Sequence, residues 1–294
     1  MQERVIGKES LVRVATVQFE PIIADKEHNL KRSEELIREA AQNGAKLVIL
    51  PELCNTGYVL NSRAEAFALS EPVPGGPTSD LWGGLAKELN LFIAAGITER
   101  EGVKLFNSEA LYGPSGHIGT FRKLHLWYEE KLFFEPGDKG MPVFHTEIGR
   151  IAMCICYDMW FPEVFRLAAV QGADIVAVAT NWVPIPGQRE GEKPMAINLA
   201  MANAHCNGIF IACADRIGVE RGQPFVGSSV IVNPAGWPIA GPAPMESEAI
   251  LYADCNLVEA RRAKSWSDLN VVLRDRRTDL YDTMLGTGAK PFGW

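Results

Sequence analysis

The chain has 294 residues, of which 47% are apolar and 22% charged, and its formal net charge is −7. Such a chain is long and apolar enough to bury a large core, and its acidic balance argues against a nucleic-acid or anionic-membrane partner. No stretch reaches the roughly 18 uninterrupted apolar residues of a membrane span, and charges stand where an N-terminal export signal is apolar, so we predict a cytoplasmic protein.

The six cysteines lie mostly inside apolar runs. They make neither a C-x-x-C pair nor a zinc-finger spacing with histidine. We therefore expect reduced thiols and no structural metal. The cysteines stand at positions 54, 154, 156, 206, 213 and 255.

The first half of the chain alternates predicted strands and helices. β-Branched residues predict a strand over 12–19, and Asp25 is placed to cap a helix that stops at Asn43 and Gly44. The apolar run that ends in Glu52 is typical of a strand covered on both faces. The other predicted elements of this half are a helix over 78–89, a strand over 91–99 and a hairpin over 108–122.

The second half continues the same alternation, without a linker, repeat or low-complexity segment. We therefore predict one α/β domain over 1–294, with a large mixed sheet or two stacked sheets and with 282–294 as a C-terminal tail. The predicted elements are strands over 150–156, 174–180, 208–214 and 249–255, helices over 162–171 and 192–206, and a hairpin around 233–236.

Cys156 stands where a predicted strand ends, and Pro162 is placed to start the next helix. A nucleophile on such a turn exposes its side chain, and the following backbone N–H groups face an incoming carbonyl oxygen. A nearby helix N-terminus or cation would also lower the thiol pKa. Cys154 shares the same strand face and is the alternative, but it lies deeper in the apolar run, where a thiol acts as a small hydrophobe.

A thiol nucleophile needs a base, and the oxyanion that it creates needs a stabilising partner. The five histidines are poor candidates for the base, and only His125 lies near another candidate segment. Glu52 directly follows a buried run, so it is either a solvated strand end or a site residue. Lys123 belongs to a charged segment, 121–125, that by itself is most simply a solvated hairpin end.

Short segments spread over nearly the whole chain match one family in order and spacing. They are VATVQFEPIIADKEHNL, LVILPELCNTGY, FRKLHL, EEKLFFEPGD, CICYDMWFPE, GSSVIVNPAGWP and DRRTDLY. Together they resemble the nitrilase (carbon–nitrogen hydrolase) superfamily. The resemblance implies a four-layer α-β-β-α sandwich and a Glu–Lys–Cys triad.

The resemblance assigns the triad to Glu52, Lys123 and Cys156. A second glutamate of the family matches Glu130 in EEKLFF, with the adjacent Glu129 as the alternative. The residues already singled out from the local pattern are therefore those that the resemblance marks as catalytic.

In the reaction that the resemblance implies, Cys156 attacks the carbonyl carbon and forms a thioester. Glu52 carries the protons, and Lys123 holds the oxyanion together with the backbone N–H of Tyr157. A small amide would then yield a carboxylic acid and ammonia. No metal or organic cofactor is implied, because the thiol, carboxylate and ammonium supply the whole reaction.

The residues after the nucleophile indicate the branch of the superfamily. Tyr157 and Asp158 replace the Trp-Glu pair typical of true nitrilases, which favours the amidase and carbamoylase branches. Trp160 occupies a turn where several members with carboxylate-bearing substrates have arginine, and an indole cannot pair with a carboxylate as a guanidinium does. We therefore expect a neutral or cationic acyl portion, with an N-carbamoyl amine as the closest alternative substrate.

Aromatic residues predict the substrate pocket. Its expected members are Tyr58, Trp160, Asn181 and Trp182, and Trp127 is a weaker candidate. The competing interpretation for each tryptophan is that it closes the core beside a strand end. Nitrile hydrolysis and acyl transfer to a nucleophile other than water are further alternatives.

Two other classes of protein are less consistent with the sequence. A non-catalytic member of the superfamily would be expected to have lost a triad residue, and a serine hydrolase based on 227–229 would lack an adjacent base. Superfamily members commonly form homodimers or larger even homo-oligomers, and we expect the same here. The aromatic residues Phe292 and Trp294 of the tail are expected to dock onto another subunit.

Overall fold

The computed structural model describes residues 11–189 and 192–285, and two six-stranded sheets form its centre. The strands are β1 Leu11–Gln18, β2 Leu47–Leu50, β3 Phe92–Glu101, β4 Lys104–Gly113, β5 Gly116–Arg122, β6 Val143–Thr146, β7 Gly149–Ile155, β8 Ile175–Ala179, β9 Phe210–Ala214, β10 Val219–Glu220, β11 Gln223–Pro224, β12 Val230–Val232, β13 Pro238–Ala240 and β14 Ala249–Asn256. The helices are α1 Lys26–Gln42, α2 Arg63–Leu69, α3 Pro77–Leu89, α4 Glu130–Phe133, α5 Pro162–Val170, α6 Met195–Asn207, α7 Glu259–Arg262 and α8 Thr278–Leu285.

Each sheet contains three neighbouring parallel strands. The first sheet has the order β14-β1-β2-β3-β4-β5, and the second has the order β13-β12-β9-β8-β7-β6. The parallel strands are β1, β2 and β3 in the first sheet and β7, β8 and β9 in the second. The carboxyl ends of parallel strands meet at one edge, which is where α/β proteins commonly bind ligands.

The two sheets pack face to face, with helices on their outer faces. Strand β2 contacts β8 and β9, and β4 contacts β7, so the inner faces form one apolar core. Helices α1 and α3 cover the first sheet, while α5 and α6 pack together outside the second. This is the four-layer α-β-β-α sandwich that the resemblance implies. Of the two arrangements predicted from the sequence, the structure has the two stacked sheets and not the single mixed sheet.

Helix α1 shows how the local sequence produces this arrangement. The Asp25 carboxylate caps the helix by accepting the N–H of His28 at 3.0 Å, and Gly44 follows its end with φ +83°. Leu36 and Ile37 are buried on its inner face. The predicted cap and stop are both confirmed, because Asp satisfies free N–H groups and glycine accepts a positive φ.

The structure corrects the sequence prediction at several elements. Helix α2 and strand β6 were missed because both are short, and the helix predicted to start at residue 192 starts at Met195. The segment predicted as a tail from residue 282 is helical as far as Leu285, in α8, where Asp279 lies in the favourable first turn. Phe292 and Trp294 lie outside the described residues. Within the described ranges, no helix combines the length and apolarity needed to cross a bilayer.

Candidate active site

Cys156 is the first residue after β7 and begins a short 3₁₀ turn, Cys156–Trp160. Its φ is +45°, a left-handed conformation that costs a non-glycine residue about 1–3 kcal/mol. Asp158 stabilises the turn by accepting the N–H of Ile155 at 3.1 Å. The thiol of Cys156 lines a cavity, whereas Cys154 is fully buried in the core. Of these two thiols, only that of Cys156 is therefore placed to contact a substrate.

Lys123 lies between two carboxylates in the interior. Its Nζ is 2.6 Å from Oε1 of Glu52 and 2.7 Å from Oε1 of Glu130, and its side chain has no exposed surface. Burial works to lower the pKa of Lys123, but the charges of Glu130 and Glu52 outweigh it and raise that pKa above the ordinary lysine value. Lys123 is thus held as a permanent buried cation.

Glu52 follows β2, and the two oxygens of its carboxyl group differ in their hydrogen bonding. Its Oε1 accepts Lys123 and also Nδ2 of Asn107, the latter at 2.7 Å. Its Oε2 is buried and has no hydrogen-bond partner among residues 11–189 and 192–285. Burial raises the pKa of Glu52 to about 7, against the lowering effect of Lys123. A carboxyl group with this pKa exchanges protons readily near neutral pH.

The structure distinguishes the two adjacent glutamates. Glu130 is buried, and its Oε1 accepts the hydroxyl of Tyr58 at 2.6 Å in addition to Lys123. Glu129 is exposed and precedes α4. Glu130 is therefore the member of the pair that contacts the buried charge cluster.

The thiol does not have the lowered pKa that the sequence led us to expect. Burial raises the pKa of Cys156 well above its ordinary value, and the charge of Glu52 adds to this, while Lys123 and the neighbouring Thr180 and Asn181 act in the opposite direction. The expectation was wrong because it considered the turn alone and not the dry surroundings. The thiol is protonated at rest and needs a base before it can attack.

A cavity of about 270 Å³ opens at Cys156 and is largely aromatic. The rings of Trp127 and Tyr157 meet edge to face at 4.8 Å, and those of Tyr157 and Trp160 lie 6.0 Å apart. None of the described residues that line this cavity is charged. They are Trp127, Cys156, Tyr157, Trp160, Asn181, Trp182, Val183, Ile185 and Pro186.

Four of the five predicted pocket residues meet at this cavity, and one lies elsewhere. Trp127, Trp160, Asn181 and Trp182 line it. Tyr58 instead lines a neighbouring cavity of about 90 Å³, which also contains Glu130.

Asn181 also connects the two sheets. Its Nδ2 donates to the backbone oxygen of Glu52 at 2.9 Å, which ties the end of β8 to the end of β2.

The other candidates from the sequence have structural contacts. His125 donates its backbone N–H to Asp158 at 3.0 Å, its Nδ1 lies 2.7 Å from the same carboxylate, and its ring stacks on Phe161. Ser228 donates to the backbone oxygen of Val226. Both side chains are therefore used in local contacts, and neither lines the cavity at Cys156.

Two buried acidic residues and one amide were missed by sequence reasoning. Asn107 and Glu109 lie two apart on β4 and share the face that carries Asn107 to Glu52. Glu109 is fully buried, and burial raises the pKa of its carboxyl group well above the ordinary value. Asp215 accepts the backbone N–H of Trp182 at 2.9 Å and so fixes one wall of the cavity. The period-two pattern of β4 was the only available signal for Asn107.

Comparison with known proteins gives the same family by sequence. A family model described as carbon–nitrogen hydrolase matches residues 13–265. The chain is 38% identical to a nitrilase of Pyrococcus abyssi, over 92% of this chain and 99% of that protein. It is 34% identical to an N-carbamoylputrescine amidase of Solanum lycopersicum, over 95% of this chain and 96% of that protein.

A solved structure extends the likeness to three dimensions. The chain resembles a variant of an amidase from a Nesterenkonia species with a TM-score of 0.75 and 27% identity, over 93% of this chain and 99% of that one. That structure is described as showing the Michael addition of acrylamide at the active-site cysteine.

Proposed function

The chain belongs to the carbon–nitrogen hydrolase family, and we propose that it is a thiol amidohydrolase that cleaves the C–N bond of a small amide. One observation carries the proposal. Two segments far apart in sequence bring the buried Lys123 within 2.7 Å of two carboxylates, and the charges of Lys123 and Glu52 act on Cys156, which lines a cavity. This arrangement contains a nucleophile, a proton carrier and a cation for an oxyanion.

Acylation begins with transfer of the Cys156 proton to Glu52. The thiolate then forms a bond to the amide carbon, and the carbonyl π electrons move to the oxygen. The protonated Glu52 gives its proton to the amide nitrogen, the C–N bond breaks, and ammonia leaves behind a thioester. A carboxyl group with a pKa of about 7 can both accept and return this proton.

Deacylation uses the same groups with water as the nucleophile. Glu52 takes a proton from water, the hydroxide oxygen bonds to the thioester carbon, and the C–S bond breaks to release the carboxylic acid. The proton on Glu52 then returns to the Cys156 sulfur. The cycle ends with the thiol protonated, as the raised pKa of Cys156 favours.

Lys123 and the backbone N–H of Tyr157 stabilise the oxyanion in both steps. Lys123 stays charged because two carboxylates face it. Tyr157 is the second residue of the 3₁₀ turn, where an N–H has no acceptor within the turn. A single donor of this kind typically lowers the barrier by about 3–4 kcal/mol.

The cavity lining favours an uncharged acyl group. Aromatic and aliphatic side chains surround Cys156, and no described lining residue could neutralise a carboxylate. Asn181 Oδ1 and Trp182 Nε1 are buried without partners in the described ranges, so they supply an acceptor and a donor for a polar substituent. We therefore propose a neutral aliphatic or aromatic amide as substrate. A cationic acyl group is the weaker choice because the lining offers it only ring faces.

An N-carbamoyl amine is the second candidate substrate. The 34% identity with a carbamoylputrescine amidase over nearly the full length of both chains favours it. The same chemistry applies to this substrate, because attack on the carbamoyl carbon also expels ammonia.

Ammonia release from a substrate panel tests the proposal. The panel contains neutral aliphatic and aromatic amides, a cationic amide, glutaramate, an N-carbamoyl amine and a nitrile. We expect the neutral amides to have kcat/KM at least about tenfold above glutaramate, since burying an unpaired carboxylate is costly. Preference for the carbamoyl compound or the nitrile would overturn the substrate assignment.

A substitution at Trp160 tests whether this residue sets the substrate preference measured with the panel. Trp160→Arg places a guanidinium in the cavity wall and should raise kcat/KM for glutaramate while lowering it for an apolar amide. The exposed Trp237→Arg change is the matched control and should alter neither. An unchanged preference in Trp160→Arg would remove Trp160 from the specificity pocket.

We also propose a cytoplasmic homodimer or larger even homo-oligomer. All six cysteines are free, as in a reducing compartment. Helix α5 exposes Leu167 and Val170 outside the second sheet, and this apolar pair offers a surface for a second subunit. Sedimentation equilibrium should therefore give an even multiple of the chain mass, reduced to one chain mass in Leu167→Glu.

A further inference from the structure

A buried ion pair lies beside the loop that carries Tyr58. Arg216 follows β9 and Glu220 ends β10; their side chains are 1% and 2% exposed, and Nη1 lies 2.6 Å from Oε2. The guanidinium also donates to the backbone oxygen of Pro21 at 3.0 Å and lies 4.2 Å from the ring centroid of Phe225. Taking two charges out of water is costly, so such a pair is weak evidence for stability alone.

The second oxygen of Glu220 fixes the backbone of that loop. Its Oε1 accepts the N–H of Tyr58 at 2.7 Å and the N–H of Val59 at 2.5 Å. Gly57 permits this approach, because a Cβ at that position would lie 2.7 Å from Oε2 of Glu220. On the outside of the hairpin, Arg221 donates to the backbone oxygen of Val59 at 2.7 Å. The β10-β11 hairpin thus holds the loop on both sides.

The side chain of Tyr58 connects this loop to the buried charges. Its ring packs edge to face on Phe225 with centroids 5.9 Å apart, so the hairpin orients the ring as well as the backbone. Its hydroxyl donates to Glu130 at 2.6 Å, and the same Glu130 oxygen accepts Lys123 at 2.7 Å. A continuous series of contacts therefore leads from the ion pair to the lysine.

We propose that the Arg216–Glu220 pair is a positioning device for the reaction. It fixes Tyr58 so that the phenol hydroxyl holds Glu130, and through Glu130 the Lys123 ammonium, where the oxyanion forms. The proposal rests on the proposed function, since it assigns Lys123 to the oxyanion. Neither member of the pair lines the cavity at Cys156. Disturbing the pair should consequently lower kcat and leave KM nearly unchanged.

A double-mutant cycle with Glu220→Gln and Tyr58→Phe tests the proposal. Each single change should reduce kcat by about 10- to 50-fold with KM altered by less than about threefold. If Glu220 acts through Tyr58, the double variant should be no slower than Tyr58→Phe alone, because the route to Glu130 is already broken. Independent effects that multiply in the double variant would overturn the proposal, as would an unchanged kcat in folded Glu220→Gln.

The controls separate positioning from folding. Glu88→Gln removes the exposed partner of Arg38 on an outer helix, away from the Tyr58 loop, and should leave kcat unchanged. If Glu220→Gln does not fold, Arg216→Gln/Glu220→Gln takes its place in the cycle, since it leaves no unpaired buried charge.

All rates are expressed per folded chain, because the exposed Cys206 would also react with a thiol titrant. Activity that persists in Cys156→Ala would reject the proposed function, whereas an unchanged kcat in Glu220→Gln would reject only the positioning role. The two failures are therefore distinguishable.

Discussion

Cys156→Ala is expected to abolish ammonia release from every substrate that the native protein turns over, with kcat falling by at least about 10⁴-fold. Without Sγ no thioester can form, and the remaining groups can only polarise the bound amide. Mass spectrometry of rapidly quenched protein should show an adduct of the acyl mass in the native chain and none in the variant. The unfolding midpoint should change little, because the thiol lies at a cavity wall.

Cys154→Ala is the matched control for the nucleophile. It removes a thiol from the same strand face, two residues away, but one that is fully buried in the core. We expect it to lower the unfolding midpoint modestly and to preserve both turnover and the acyl adduct. Loss of the adduct in this variant, or its survival in Cys156→Ala, would show that the nucleophile has been misassigned.

The strand ends to which we assign the chemistry could be predicted from the sequence because their signals are local. A continuous apolar run indicates a buried strand, and a polar residue directly after it falls at a sheet edge. Glu52 and Cys156 both follow this rule, at the ends of β2 and β7. Whether the two edges face each other is a matter of sheet packing, and only the resemblance to a family supplied that information.

The groups that tune the site could not be predicted, because their contacts join residues distant in sequence. Asn107 reaches Glu52 across the first sheet, and Glu220 reaches the loop of Tyr58 from a hairpin late in the chain. Tyr58 was expected in the substrate pocket on the strength of its aromatic ring alone. Its hydroxyl instead contacts Glu130, which no pattern of spacing indicates.

The protonation of the Cys156 thiol could not be predicted from the sequence either. A turn before a helix suggests a lowered pKa, but the pKa of a thiol depends on how much water its surroundings exclude. Burial and the charge of Glu52 dominate at Cys156 and raise its pKa. In the proposed mechanism a protonated thiol depends on Glu52 to remove its proton, and this dependence can be measured.

Glu52→Gln is expected to reduce kcat by about 10²–10⁴-fold, the usual contribution of a general base. Glutamine retains an oxygen that can accept Asn107 and Lys123, so the geometry is largely kept while proton transfer is lost. Because the charge of Glu52 raises the pKa of Cys156, its removal should lower that pKa. Alkylation of the thiol by iodoacetamide at neutral pH should therefore be at least as fast in the variant as in the native protein.

The pH dependence of kcat/KM separates a base from a structural role at Glu52. Acylation requires the ionised carboxylate, so native kcat/KM should rise with pH through the Glu52 pKa of about 7 and fall tenfold per unit well below it. Glutamine cannot titrate, so the residual kcat/KM of Glu52→Gln should no longer fall as the pH is lowered below about 7. This fall is the acidic limb of the native pH profile. Asn107→Asp places a second carboxylate against Glu52 and should move the limb to higher pH. Persistence of the native limb in Glu52→Gln would assign the proton transfer to another group.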